Sequence, residues 1–137
     1  MHNATIQEMI KRHEGFRNMP YNCSAGKLTI GFGRNLEVNG ISYDEAQLML
    51  DNDIDKCIVQ LKLNFPVYNY LPDKIQHVLI DMCFNLGING LMKFKRFLGY
   101  VKDGKYCSAA AEMMRSKWAE QTGSRAEELF NMVMECV

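Results

Sequence analysis

Residues 26–33 read Gly-Lys-Leu-Thr-Ile-Gly-Phe-Gly, an alternation that sets Leu28, Ile30 and Phe32 on one face of an extended chain and Thr29, Gly31 and Gly33 on the other. The pattern is a strand with one greasy face and one nearly bare face. Around it the apolar residues recur at helical spacing. Upstream, Thr5-Ile6-Gln7-Glu8 has the form of a capping box, which predicts a helix running to about His13 with Ile6, Met9 and Ile10 buried.

Downstream, Ser42-Tyr43-Asp44-Glu45 is a second capping box opening a long helix. In it Leu50, Ile54, Cys57, Ile58 and Leu61 recur before Pro66 interrupts. Pro72 lies near the next start, followed by Ile75, Val78, Leu79, Met82, Cys83 and Leu86, a series that predicts a central buried helix. Gly87 and Gly90 punctuate the chain. Beyond them Leu91, Phe94, Leu98 and Val101 predict one helix, and Ala109, Ala110, Met113, Met114 and Trp118 predict one more. A third box, Ser124-Arg125-Ala126-Glu127, opens a last helix burying Ala126, Leu129, Phe130, Val133, Met134 and Val137. The sum is an α+β, mostly helical domain over 1–137. It has a small β-containing lobe over about 15–40 and a connecting helix over about 42–62. The larger helical lobe is formed by about 66–137 with the N-terminal helix, leaving room for a cleft between lobes.

A chain of 137 residues is long enough for one domain with a real core. Sixteen basic and sixteen acidic side chains leave no net charge, which removes the bulk electrostatic drive for nucleic-acid or anionic-membrane binding. Lys93, Lys95, Arg96, Lys102, Lys105, Arg115, Lys117 and Arg125 crowd the second half and read as solvated helix faces. Five cysteines, with no CxxC pair and no metal-like spacing, argue against a disulfide framework, and Cys57 and Cys83 fall on apolar stripes as small core hydrophobes. No window resembles a signal-peptide h-region, and none approaches the roughly 18 apolar residues of a membrane span.

Glu14, just past a helix end, stands with Cys23 and Thr29 in the loop and strand that follow. Glycoside hydrolysis needs a protonated acid at the leaving oxygen and a second group that guides water or attacks the sugar. Glu14 suits the acid if partial burial disfavours its charge, and Gly31 and Gly33 would let a bulky sugar approach the backbone closely. His13 beside the same segment would also allow a Cys-His pair with Cys23 for amide hydrolysis.

The stretch HEGFRNMPYNCSAGKLTIGFGRNL, residues 13–36, resembles the catalytic segment of the phage lysozyme family, glycoside hydrolase family 24. The family pattern is Glu, eight residues, Asp or sometimes Cys, five residues, Thr, and Glu14, Cys23 and Thr29 fit it. Glu14-Gly15, Tyr21, Gly26 and Thr29-Ile30-Gly31 fit the flanks. The similarity continues through NFPVYNYLPDKI, DMCFNLG around Asn85 and SKWAEQTGSRAEE around Trp118 and Arg125.

The resemblance implies a lysozyme-like fold and hydrolysis of the β-1,4 bond between N-acetylmuramic acid and N-acetylglucosamine in bacterial peptidoglycan, usually with inversion. It makes Glu14 the general acid and gives Thr29 a part in holding water. It places Arg125 close to Glu14 and Asn85 on the cleft wall, with Tyr21, Gly31 and Phe32 among the substrate-binding residues. Where many relatives pair a His with an Asp, Arg34 and Asp53 stand here, and an ion pair between them is expected. About twenty residues found in larger relatives before the connecting helix are missing, which implies a shortened sheet.

Cys23 stands where the best-known members have Asp, which leaves it three roles: a tuned thiolate base, a nucleophile or a water-orienting group. Two other activities stay open beside hydrolysis, a lytic transglycosylase and a non-catalytic peptidoglycan-binding relative. With no export signal expected, the resemblance implies residence in the host cytoplasm until holin-dependent release at lysis, then action in the periplasm or wall. It implies a monomer with peptidoglycan as its partner, no cofactor or metal, no nucleic acid and no stable membrane insertion.

Overall fold

Asn3, with its side chain accepting from the Thr5 N–H at 2.6 Å, caps the first helix, α1 (Ala4–Glu14). The computed structural model describes residues 3–137. The cap therefore lies at Asn3 rather than the expected Thr5, since Asn satisfies an orphan N–H at least as well as Thr and stands first in the chain. Gly15 ends the helix at φ 70°, its N–H donating to the Lys11 carbonyl. Lys11, Arg12 and His13 fill the last turn, where positive charge suits the helix dipole.

Three antiparallel strands follow in the order β1 (Arg17–Asn22), β2 (Leu28–Gly31), β3 (Arg34–Asn35). Tyr21 pairs with Thr29 and Arg17 with Gly31, with a register shift between them. Pro20, which has no N–H to give a ladder, lies in that irregular stretch. The last strand, β3, has only two residues. A short α2 (Leu36–Asn39), capped by Asn35 on the Val38 N–H, has no counterpart in the sequence reading.

Packing divides the chain into two compact units, Met1–Leu48 and Met49–Val137. Among the described residues the first contributes one buried residue, Thr29; the large apolar core belongs to the second. The expected burial of α1 does not occur: Ile6, Met9 and Ile10 are 38, 38 and 44% exposed, because the first unit has almost no apolar core to receive them. The greasy face of the strand is not the covered one. Leu28 and Phe32 are exposed, while Thr29 on the bare face is covered.

The helix α3 (Tyr43–Asn64) starts on the predicted capping box, closed in both directions: the Glu45 N–H donates to Ser42 Oγ at 3.1 Å and the Ser42 N–H to Glu45 Oε1 at 2.8 Å. Cys57 and Leu61 are its buried residues. A 3-10 turn over Pro66–Tyr70 leads to α4 (Asp73–Met92), capped at Pro72. Its predicted stripe is the centre of the core, with Ile75, Val78, Leu79 and Met82 at zero exposure. Gly87, at φ 74° and ψ 160°, interrupts the helical backbone as its position in the sequence suggests.

Helices α5 (Lys95–Lys102), α6 (Tyr106–Met114), α7 (Lys117–Thr122) and α8 (Ser124–Met134) complete the second unit. The single helix expected through Trp118 is two, because Ser116 caps a new start by accepting from the Ala119 N–H. The third box is not formed: Gly123 is the cap of α8 and Ser124 is already helical. Lys93, Lys95, Arg96 and Arg115 line an open cavity of about 380 Å³ in this unit, where Glu112 pairs with Arg96 and Arg115. Cys57 and Cys83 are core residues, and burial, then the hydrogen bond with Cys57, pushes the Cys83 thiol up to about 12. No helix among the described residues is long and apolar enough to cross a membrane.

Candidate active site

The β1–β2 hairpin turns through Cys23-Ser24-Ala25-Gly26, closed by the Gly26 N–H donating to the Cys23 carbonyl at 2.8 Å. Gly26 adopts φ 75°, a left-handed position where glycine carries no Cβ penalty. The turn folds backbone N–H groups over the half-buried Cys23 sulfur. Hydrogen bonding from Lys27, then Ala25, and more weakly the Thr29 hydroxyl holds this thiol below its ordinary range. Buried Thr29 donates its one hydroxyl proton to the Lys27 carbonyl at 2.8 Å. The one proton cannot serve both acceptors at once, so the weak support that Thr29 gives a Cys23 thiolate requires the hydroxyl to turn from the Lys27 carbonyl to the sulfur.

A direct consequence is alkylation of Cys23 by iodoacetamide with a pH midpoint below that of a free cysteine peptide. Cys57 and Cys83 should react only on unfolding; mass mapping of labelled sites over a pH series checks both.

Glu14, the last residue of α1, is exposed rather than partly buried. Its carboxylate rests against Gly33 in the β2–β3 turn, where an added Cβ would stand 2.5 Å from Oε2. Of the two glycines read as openings for a sugar, only Gly31 has free space beside it, with nothing within 4 Å of an added Cβ. Phe32 is 45% exposed, its ring 5.4 Å from that of Phe16 and the Lys11 ammonium 5.5 Å from its centroid. The Arg17 guanidinium lies 4.3 Å from the Tyr21 ring centre. These residues give the first unit a surface of rings and cations.

Arg34 pairs with Glu45, not with the expected Asp53. Its Nη1 and Nη2 donate to Glu45 Oε1 and Oε2 at 2.8 and 2.6 Å, and Nη1 also reaches the Gly40 carbonyl. Glu45, foreseen only as a cap, thus also anchors the arginine. Arg34, followed by the Ser42 N–H, pulls the Glu45 carboxyl from 4.5 to about 2. A depressed carboxylate stabilises the fold above its unfolded value and loses that contribution as pH falls through the folded one. The engaged Arg34 guanidinium signals in NMR should therefore persist at pH 4 and collapse only near pH 2.

Asn85 and Arg125 lie in the second unit. Asn85 Oδ1 accepts from Trp118 Nε1 at 2.7 Å, and Trp118 packs edge-on to Phe94. Arg125 Nε donates to Asp81 Oδ1 at 2.7 Å, a partner the sequence did not suggest. Both side chains are held by residues of other helices in the same unit. Among the described residues no group of three or more His, Cys, Asp or Glu could hold a metal ion.

A mostly helical α+β chain with a small three-stranded antiparallel sheet near its N-terminus has the layout of a lysozyme-like fold. The family model described as Phage lysozyme matches residues 11–132. The chain is 31% identical over 120 residues to the endolysin of Acyrthosiphon pisum secondary endosymbiont phage 1, covering 85% of this chain and 80% of that protein. It is 23% identical over 159 residues to probable T4-type lysozyme 1 of Dictyostelium discoideum, covering 95% and 94%. The pre-baseplate central spike protein Gp5 of Enterobacteria phage T4 is 24% identical over 96% of this chain but only 28% of its own length. This chain belongs to the phage lysozyme family.

Proposed function

We propose that this protein is a muramidase-type endolysin that hydrolyses the β-1,4 bond between N-acetylmuramic acid and N-acetylglucosamine in bacterial peptidoglycan. Family membership over residues 11–132, which include Glu14, Cys23 and Thr29, carries the reading. Glu14 is the general acid that protonates the leaving glycosidic oxygen. It is exposed in the free chain, and a glycan strand laid over it removes the water that solvates its charge.

Cys23 and Thr29 position or activate the attacking water. The N–H groups of Lys27 and Ala25 favour a thiolate able to accept a proton or hydrogen bond from water, which supports this role. Attack by water on the face opposite the acid inverts the anomeric carbon; direct attack by Cys23 would form a glycosyl thioether that water must cleave, with retention. Tyr21, Gly31, Phe32, Asn85 and Arg125 make the substrate contacts. The enzyme works as a monomer, needs a holin-type partner to reach the wall and uses no cofactor.

Purified sacculi test the reading when soluble release and sedimentation binding are measured together. Release of soluble glycan fragments in proportion to enzyme is expected. Binding without release would overturn hydrolysis and identify a wall-binding relative.

A further inference from the structure

Gly33 stands in the turn between β2 and β3 at φ +79°, a backbone conformation that L side chains rarely adopt. A Cβ built on it would lie 2.5 Å from Oε2, 2.7 Å from Cδ and 3.1 Å from Cγ of Glu14. Those separations are well inside van der Waals contact, so the space a side chain would need is filled by the carboxylate. Turn geometry alone does not produce this, because the other seven described glycines with positive φ have nothing within 4 Å of such a Cβ. The next residue in the chain is fixed from the other side: Arg34 is bound through two nitrogens to Glu45 and through one of them to the Gly40 carbonyl.

We propose that Gly33 is a positioning residue for Glu14, its missing side chain being the space the carboxylate occupies, and that the Arg34–Glu45 ion pair keeps the turn in place behind it. The proposal rests on Glu14 being the general acid. A carboxylate resting on backbone has fewer orientations than one at a free helix end, and a general acid acts only when its proton points at the leaving oxygen. The Arg34 brace holds the turn rigid, so that the carboxylate rests on a fixed surface.

Gly33→Ala should lower kcat about ten- to a hundred-fold, the scale of a misplaced catalytic group, with KM changed less than about two-fold. The limb of the pH–rate profile assigned to the acid should move with it. Gly104→Ala, at φ +71° with nothing within 4 Å, introduces a like backbone strain away from Glu14 and should lower stability while leaving kcat and the profile unchanged. If Gly33→Ala keeps the kcat and profile of Gly104→Ala, Gly33 serves the turn alone and the proposal fails.

A thermal-midpoint cycle with Glu14→Ala tests the contact without relying on activity. Gly33→Ala should cost more in the presence of Glu14 than in its absence, and a Gly33→Ala chain that folds only when Glu14→Ala is added would show the same coupling. Equal costs, or failure to fold in both backgrounds, would overturn the contact. Full activity in Glu14→Gln would instead overturn the reading of the acid, and the positioning role with it, while the cycle still reports whether the two residues touch.

Discussion

Glu14→Gln should lose about 10² to 10⁴ in the rate of glycan release from peptidoglycan while its far-UV spectrum and thermal midpoint stay close to the parent's. The substitution keeps the shape of the side chain and removes its ability to ionise and to transfer a proton. Because Glu14 ends α1 and is exposed, the change leaves no buried group unpaired, and little stability should be lost. Initial rates on purified sacculi, with binding measured in parallel, check it. An unchanged rate would remove Glu14 from the chemistry.

The largest stability effect is expected from Leu79→Ala, which should cost about 2–5 kcal/mol. Leu79 has zero exposure and lies on the α4 stripe with Ile75, Val78 and Met82 in the centre of the core. Truncation leaves a cavity that helices cannot close without moving several neighbours. Leu63→Ala, at 76% exposure near the end of α3, should stay within about 0.5 kcal/mol. Urea unfolding monitored at Trp118 separates the two, the first moving the midpoint with the slope unchanged.

The helical part of the fold was legible wherever a long apolar stripe had one possible face to bury, as along α4 from Ile75 to Cys83. Breaks in such stripes were harder to see. Met113, Met114 and Trp118 continue a helical spacing across Ser116, and only the capping habit of that serine marks two helices instead of one. Asn3 and Thr5 compete for the same N-terminus, and a four-residue motif does not say which wins. The alternation in β2 was read correctly as two unlike faces, but which face is covered depends on what packs there. Thr29 is buried because its hydroxyl finds the Lys27 carbonyl and the Cys23 sulfur, while Leu28 and Phe32 belong to a unit with little core.

Of the candidate residues Glu14, Cys23 and Thr29, which fall on one helix end and one hairpin, the structure joins Cys23 to Thr29 and sets Glu14 against Gly33. Partners distant in sequence were not legible. Arg34 could be matched to an acidic residue, but the choice of Glu45 over Asp53 follows from where α3 begins, and Asp81 beside Arg125 lies 44 residues away. Gly33 was read as an opening for sugar because a glycine in sequence shows only that no side chain is present. The structure shows that Glu14 fills the space.

The most direct measurement of the central claim is the mass of soluble products released from purified peptidoglycan. Hydrolysis by this enzyme predicts fragments one water heavier than the corresponding anhydro species, each ending in a reducing N-acetylmuramic acid. Anhydromuramic ends would contradict it and establish a lytic transglycosylase, and fragments cut only at amide bonds would establish that the glycan strand is not the bond attacked.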